Sequence, residues 1–468
     1  MSRLSPIEID SKIVYLMLAV VIIAFTGAFF LIKTSTVMAL AMLVIVVVGV
    51  ISFISMEVAL YILIISMLLG PQFIVGSSSV AAVRGRPGVT LRIDDFLLLI
   101  IGFSWFLKTA IRKELGLFLK TPLNKPIAYY FVVCMISTLF GFMMERVKGA
   151  TGFFFVLKYF EFFIVYFMAV NHIKDKKQIE RFLFTMLAVC FIVCLIAIYQ
   201  IPAGGRVSAP FEGPEGEPNT LGGYLVLMLS IVAGLLLTYG SNKQKAFLSF
   251  LAFIILMSLA ATLSRSSWLA LLPMAFVLLY FSNKKMPIIM VMLIVILISP
   301  FILPKSVTDR VIFTFTQPKE TGQVMLGNVR IDTSTSARFT SWKNVLEKDF
   351  IKQPILGYGV TGYRFIDAQY ARVLAETGLV GMITFFILIY SVYINAIHVY
   401  RSTTDPLYKG LSLGYLAGFI AMLFHAIGTN TFIIVRIMEP FWFLTAMVIM
   451  IPTVEQNLKK TQEILHEQ

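Results

Sequence analysis

Apolar runs of fourteen to twenty-five residues, separated by short polar connections, recur along most of the chain. Fourteen such runs fall near 13–32, 36–55, 57–75, 94–107, 127–144, 152–170, 182–201, 219–239, 246–263, 266–282, 286–303, 373–397, 410–429 and 431–452. A helix crosses a bilayer in about 20 residues because every peptide N–H and C=O must be bonded within the segment. The pattern predicts an all-α polytopic membrane protein with about 12–14 transmembrane helices. The first run lacks a small-residue cleavage pattern and reads as a retained helix. One stretch, 304–372, is too polar to span and too long for a plain connector. The chain divides into N-terminal helices (1–201), central helices (202–303), a loop domain (304–372), C-terminal helices (373–452) and a tail (453–468). No period of 20–50 residues repeats, which gives no support to a transporter built from obvious repeats.

Composition strengthens this reading. The chain is 58% hydrophobic and 14% charged, against about 25% charged in soluble domains, which excludes an ordinary soluble enzyme. The net charge of +14 has to be divided between two membrane faces before it says anything about partners. Lys/Arg in the short loops 108–126, 171–181, 240–245, 283–285 and 398–409 alternate in register with the spans, which places those loops and both termini in the cytoplasm. Of the 19 basic residues on that side, 15 are Lys; of the other 20, 12 are Arg. The far face thus carries Arg84, Arg86, Arg92, Arg146, Arg206, Arg265, Arg310, Arg330, Arg338, Arg364, Arg372 and Arg436. Arginine grips phosphate and carboxylate bidentately and keeps its charge when partly desolvated. Snorkelling to lipid headgroups is the alternative for any one of them. Cys134, Cys190 and Cys194 lie in apolar runs and read as small buried side chains.

Within the polar stretch, Phe339, Trp342, Leu346 and Phe350 recur at helical spacing, predicting an amphipathic helix on the outer membrane surface. Pro354, Gly357, Gly359 and Gly362 follow as a loop, then a short helix over 368–376. Asp367, immediately before that helix, is either its N-cap or a general base assisted by Glu376. Glu212, Glu215 and Glu217 belong to a solvated loop or a Ca²⁺/Mg²⁺ site, with the loop favoured. Asp94 and Asp95 cap a helix or hold a metal, with capping favoured. Arg265 stands near membrane depth, where an ionisable group points to a functional site and an anionic partner. His425, Arg436 and Glu439 sit in or between the last apolar runs, with Arg436 and Glu439 placed to pair. Nucleotide-binding fingerprints and HExxH runs are absent.

Four stretches together resemble the O-antigen ligase and polysaccharide polymerase family of integral-membrane glycosyltransferases. RVSAPFEGPEGEPNTLGGY matches at Arg206, Phe211, Pro218 and Asn219, and LSRSSWLAL at Ser264, Arg265 and Trp268. SARFTSWKNVLEKDFIKQPILGYG matches at Arg338, Trp342, Pro354, Gly357 and Gly359, and DAQYARVLAETGLVG at Tyr370, Leu374, Glu376 and Gly378. Asp367 and Ala368 stand where ligases carry His-Asn, which shifts the weight towards polymerase, and the resemblance implies the base at the position of Asp367. The resemblance implies a GT-C-like bundle in a bacterial inner membrane. The donor would be a glycan on undecaprenyl pyrophosphate, the acceptor a glycan or lipid-linked hydroxyl, and other polysaccharide assembly proteins are possible partners. Arg206 and Arg265 would clamp the pyrophosphate with Arg338 in support, and Asp367 would act on the acceptor. Asn219, Ser264, Trp268, Tyr370, Glu376, Arg436 and His425 are the remaining expected substrate contacts. Neither a cofactor, a metal nor nucleic acid is expected. A flippase for a lipid-linked oligosaccharide is the competing expectation.

Overall fold

A computed structural model describes residues 46–75, 89–111, 119–212, 216–302, 305–326 and 329–466. The predicted 13–32 span, half of 36–55, and Arg84, Arg86 and Glu215 lie outside the described residues. After a helical segment over 46–54 come α1 (Met56–Leu69), α2 (Ile93–Ile111), α3 (Asn124–Met143), α4 (Gly149–His172) and α5 (Lys176–Gln200). Next are α6 (Pro218–Thr238), α7 (Asn242–Ala261), α8 (Arg265–Phe281) and α9 (Lys285–Ile302). The polar stretch holds α10 (Lys305–Thr316) and α11 (Thr333–Asn344), and α12 (Gln369–Ser402), α13 (Pro406–His425) and α14 (Val435–His466) complete the chain. Two short antiparallel hairpins, Gln72–Val75 with Val89–Arg92 and Met325–Leu326 with Val329–Arg330, are the strands seen among the described residues. Eight described helices, α3 to α7 and α12 to α14, are long and apolar enough to cross a membrane. The protein is therefore an all-α polytopic membrane protein. The segment 453–466, expected as a tail, continues α14 as helix.

The described residues fall into two compact units. Residues 46–60 and 96–111 belong to one, and all the rest to the other. The core of the larger unit is the contact of α6 with α13. Gly410, Gly414 and Gly418 line one face of α13 at four-residue spacing, and Gly234 answers them on α6. A Cβ on Gly234 would stand 2.3 Å from the Gly410 carbonyl oxygen, and one on Gly414 2.6 Å from the Ser230 oxygen. Lipid offers no hydrophobic drive for helix pairing, so close backbone approach through small residues supplies the packing instead.

The Pro-x-x-Gly-x-Gly segment has a structural role. α12 is broken at Gly378, whose φ of 65° is open to glycine, and the break exposes backbone groups of both half-helices. Tyr358 and Gly359 donate their N–H groups to the carbonyls of Ala375 (2.9 Å) and Glu376 (2.8 Å), while Leu379 and Val380 donate to Pro354 (2.8 Å) and Ile355 (3.2 Å). Gly357, at φ 65°, passes so close that a Cβ would stand 2.6 Å from the Ala375 oxygen. The loop thus satisfies the break. Ahead of it, the predicted amphipathic helix divides its apolar residues. Val345 is buried with Ile366, Ala371 and Leu374, and Trp342 and Phe350 pack on that cluster, whereas Phe339 and Leu346 remain half exposed.

Candidate active site

The loops at one end of the larger unit carry nearly all of the expected site residues. The opposite end collects Lys176 with Asp405, Lys284 on Leu237 O and Lys409 on Tyr400 O. Arg206 lies between α5 and α6, where its Nε donates to Thr262 O (3.1 Å) and its Nη2 to Asn219 Oδ1 (3.4 Å). Asn219 opens α6 behind Pro218, a residue preorganised for a first helical turn. Ser264, the N-cap residue of α8, donates Oγ to the same Asn219 oxygen at 2.7 Å. Ser267 Oγ donates to Ser264 Oγ (2.8 Å) and meets His425 Nε2 (3.1 Å), and His425 Nδ1 meets Thr431 Oγ1 (2.8 Å). One hydrogen-bonded chain therefore joins Arg206, Asn219, Ser264 and His425. His425 itself is fully buried and bonded at both ring nitrogens, so it supports the chain from behind and does not face the open end.

Four guanidinium groups, Arg206, Arg265, Arg310 and Arg338, converge at this end. Burial and then the charge of Arg310 bring Arg206 down to about 10, with Arg265 and Arg338 acting in the same direction. Arg310 is lowered likewise, by burial and then by Arg265. Arg206 nevertheless stays charged at neutral pH, so the cluster holds mutually repelling positive charge, which an anion would relieve. The four are not equivalent. Arg265 is gripped bidentately by Asp332, Nη1–Oδ2 2.8 Å and Nη2–Oδ1 2.9 Å, and also donates to Thr314 (2.6 Å) and Ser334 (2.7 Å). Asp332 is the N-cap of α11, accepting from the backbone N–H groups of Ser334 and Thr335. Burial alone would raise its carboxyl, but the Arg265, Ser334 and Thr335 bonds hold it well below the usual carboxylate range. Arg265 thus braces the polar stretch against α8 as well as adding to the field.

Asp367 does not cap α12. Ala368 holds the N-cap position with no side-chain cap, and Asp367 Oδ2 instead accepts from Arg338 Nη2 at 2.8 Å. Glu376, expected to assist it, is buried on Arg372 (Nε–Oε1 3.1 Å) and accepts from Thr361 N. Trp268 Nε1 donates to Leu259 O and Tyr370 Oη to Leu423 O, both bonds that tie helices together. Arg436 is likewise committed to protein, donating to the carbonyls of Leu68, Pro210 and Gly70. Its acidic neighbour is Glu212 at 3.4 Å, and Glu439 lies 3.7 Å from Arg92. The expected Arg436–Glu439 pair is therefore replaced by two pairs formed with distant parts of the chain.

Asp95 Oδ2 accepts from Arg92 N at 2.9 Å, reaching back across the first turn of α2 as a capping carboxylate does. Its neighbour Asp94 joins Glu161 and Glu439 in a group whose ligand atoms lie within 4.8 Å of one another, spacing that suits a cation. Arg92, 2.6 Å from Asp94, and Lys158, 3.1 Å from Glu161, already supply positive charge there. Glu217 precedes α6 and accepts from Asn219 Nδ2 at 3.2 Å. Surrounding protein raises its carboxyl, and Asp367 adds to the effect, while Asn219, Arg206 and Arg338 oppose it.

Sequence reading singled out neither Asp332 nor Arg310 for the site. An Asp followed by Thr-Ser-Thr ahead of a helix is a capping signature that could have located Asp332. Arg310 carried no local signal beyond being one more arginine. No curated protein matches the chain. Residues 250–386 match the O-antigen ligase family model, a stretch that contains Ser264, Arg265, Trp268, Arg310, Asp332, Arg338, Asp367 and Glu376. That segment, which carries Arg265, Arg310 and Arg338 on a polytopic helical frame, is similar to the O-antigen ligase family.

Proposed function

We propose that the protein is a glycosyltransferase that moves or polymerises glycan from an undecaprenyl-pyrophosphate donor onto a sugar hydroxyl at the extracytoplasmic face of a bacterial inner membrane, with both termini in the cytoplasm. The convergence of Arg206, Arg265, Arg310 and Arg338 beside the Arg338–Asp367 pair carries this reading. In the reaction the acceptor oxygen attacks the anomeric carbon. A new C–O bond forms there, the bond from that carbon to the pyrophosphate oxygen breaks, and the hydroxyl proton passes to a carboxylate. Departure leaves negative charge on the pyrophosphate, and preorganised guanidinium groups stabilise charge that develops at that step. Arg206 and Arg310 are best placed for direct contact. Arg265 contributes field from its Asp332 brace, and Arg338 links the clamp to Asp367, which orients or deprotonates the acceptor. The donor is already activated, so the reaction requires no nucleotide, and with positive charge supplied by arginine it proceeds without a metal.

The test is incubation of purified protein with an undecaprenyl-pyrophosphate glycan. Longer glycan chains identify a polymerase, and transfer to lipid A core or to protein identifies a ligase. Unchanged donor relocated across a vesicle membrane identifies a flippase and refutes the proposal.

A further inference from the structure

A cavity of about 260 Å³ opens beside the arginine cluster and is not used by the clamp. Ligand pockets commonly enclose about 300–1,000 Å³, so this one has room for a single ring-sized group and not for an oligosaccharide. Phe154 and Phe155 of α4, their rings edge-to-face at 89°, contribute an apolar aromatic wall, and Glu217 and Thr220 contribute polar groups from the start of α6. Its cations are spoken for. Arg92 is paired with Asp94, Lys158 with Asp95 and Glu161, and Arg436 with three carbonyls and Glu212. That balance suits a neutral polyhydroxylated ring, whose C–H face packs on an aromatic wall and whose hydroxyls reach a carboxylate, and it suits a phosphate poorly.

Glu217 connects the cavity to the clamp. Asn219 donates to Glu217 Oε1 and accepts from both Arg206 Nη2 and Ser264 Oγ, so the cavity and the arginine cluster share this edge. The two carboxylates near the reacting centre differ in what already holds them. Asp367 is bound by the Arg338 guanidinium at 2.8 Å. Glu217 receives a neutral amide at 3.2 Å and, among the described residues, no charged donor. A base must have a lone pair free for the incoming proton, and its strength rises as its conjugate acid's pKa approaches the working pH. Glu217 meets both conditions, since its carboxyl is raised by its surroundings.

We propose that this cavity is the acceptor-sugar subsite and that Glu217 takes the proton of the attacking hydroxyl, leaving Asp367 to position Arg338. The assignment rests on the glycosyl-transfer reading above. Its test uses the full chain with an undecaprenyl-pyrophosphate repeat unit as donor. The acceptor, varied in concentration, is an oligosaccharide of the same repeat with a free reducing end, which cannot itself donate. Binding of undecaprenyl pyrophosphate is measured in parallel. E217Q keeps an oxygen for the Asn219 bond and should lower kcat by about 100-fold or more, the usual contribution of a general base, while binding undecaprenyl pyrophosphate within twofold of wild type. F155A, which removes part of the aromatic wall, should raise the acceptor KM about tenfold with undecaprenyl pyrophosphate binding unchanged. Wild-type transfer in E217Q, or an unchanged acceptor KM in F155A, overturns the subsite. If the unaltered protein binds undecaprenyl pyrophosphate but forms no glycosidic product, the transferase reading itself fails and the subsite falls with it.

Discussion

At the residue scale, the clamp arginines differ in their protein partners, and so their substitutions should fail in different ways. Among the described residues Arg206 donates only to a carbonyl and an amide, so Arg206→Ala should leave a folded, inserted protein and lower glycan transfer by about 10²–10³-fold. Monodispersity in detergent and product analysis check the two halves of that statement. Arg265→Ala removes the partner of a buried aspartate and should cost about 3–5 kcal/mol of stability. The double variant R265A/D332A should recover part of that loss on thermal unfolding without recovering activity. Because the Asp332 carboxyl is depressed in the folded state, its contribution is present above the unfolded pKa of about 3.9. It is lost only as pH falls below that value towards the folded pKa, and D332N should therefore flatten the acid side of a Tm-against-pH curve while leaving its shape near neutrality unchanged. Arg338→Ala and Asp367→Asn act on one ion pair and should be non-additive in transfer rate, with a coupling of about 0.5–3 kcal/mol in a double-mutant cycle.

At the scale of elements, one of the motifs legible in the sequence holds the backbone. Pro354, Gly357 and Gly359 read as a loop and are one, but the reason lies in a partner that local spacing does not reveal. They satisfy the break in α12 at Gly378. Gly357→Ala would place a methyl 2.6 Å from the Ala375 oxygen at a left-handed φ, and should cost more than about 1 kcal/mol and reduce folded yield. The Gly410, Gly414, Gly418 series is not legible from sequence, because a stripe of small residues has meaning only once the facing helix is known. Gly414→Leu should separate α13 from α6, seen as loss of a monodisperse peak. The apolar runs themselves were legible, since hydropathy reports a constraint that acts on each segment alone. The partners of Arg436, Glu439 and Arg265 were not, because an ion pair between distant segments leaves no periodicity.

At the scale of the molecule, basic side chains among the described residues gather at two ends with different chemistry. One gathers Lys176, Lys284 and Lys409 on carbonyls and a carboxylate. The other gathers arginines around an open cluster. That division supports a substrate that carries its anionic group at one end of the helical frame. If arginine alone supplies the positive charge, transfer should survive EDTA. A loss restored by Mg²⁺ or Ca²⁺ would instead direct attention to Asp94, Glu161 and Glu439. The most direct test of the account is the product formed when purified protein meets an undecaprenyl-pyrophosphate glycan together with a sugar acceptor. The account predicts a new glycosidic bond with release of undecaprenyl pyrophosphate, lowered about 10²–10³-fold in Arg206→Ala. Intact donor with no new bond, or wild-type transfer in that variant, would contradict it.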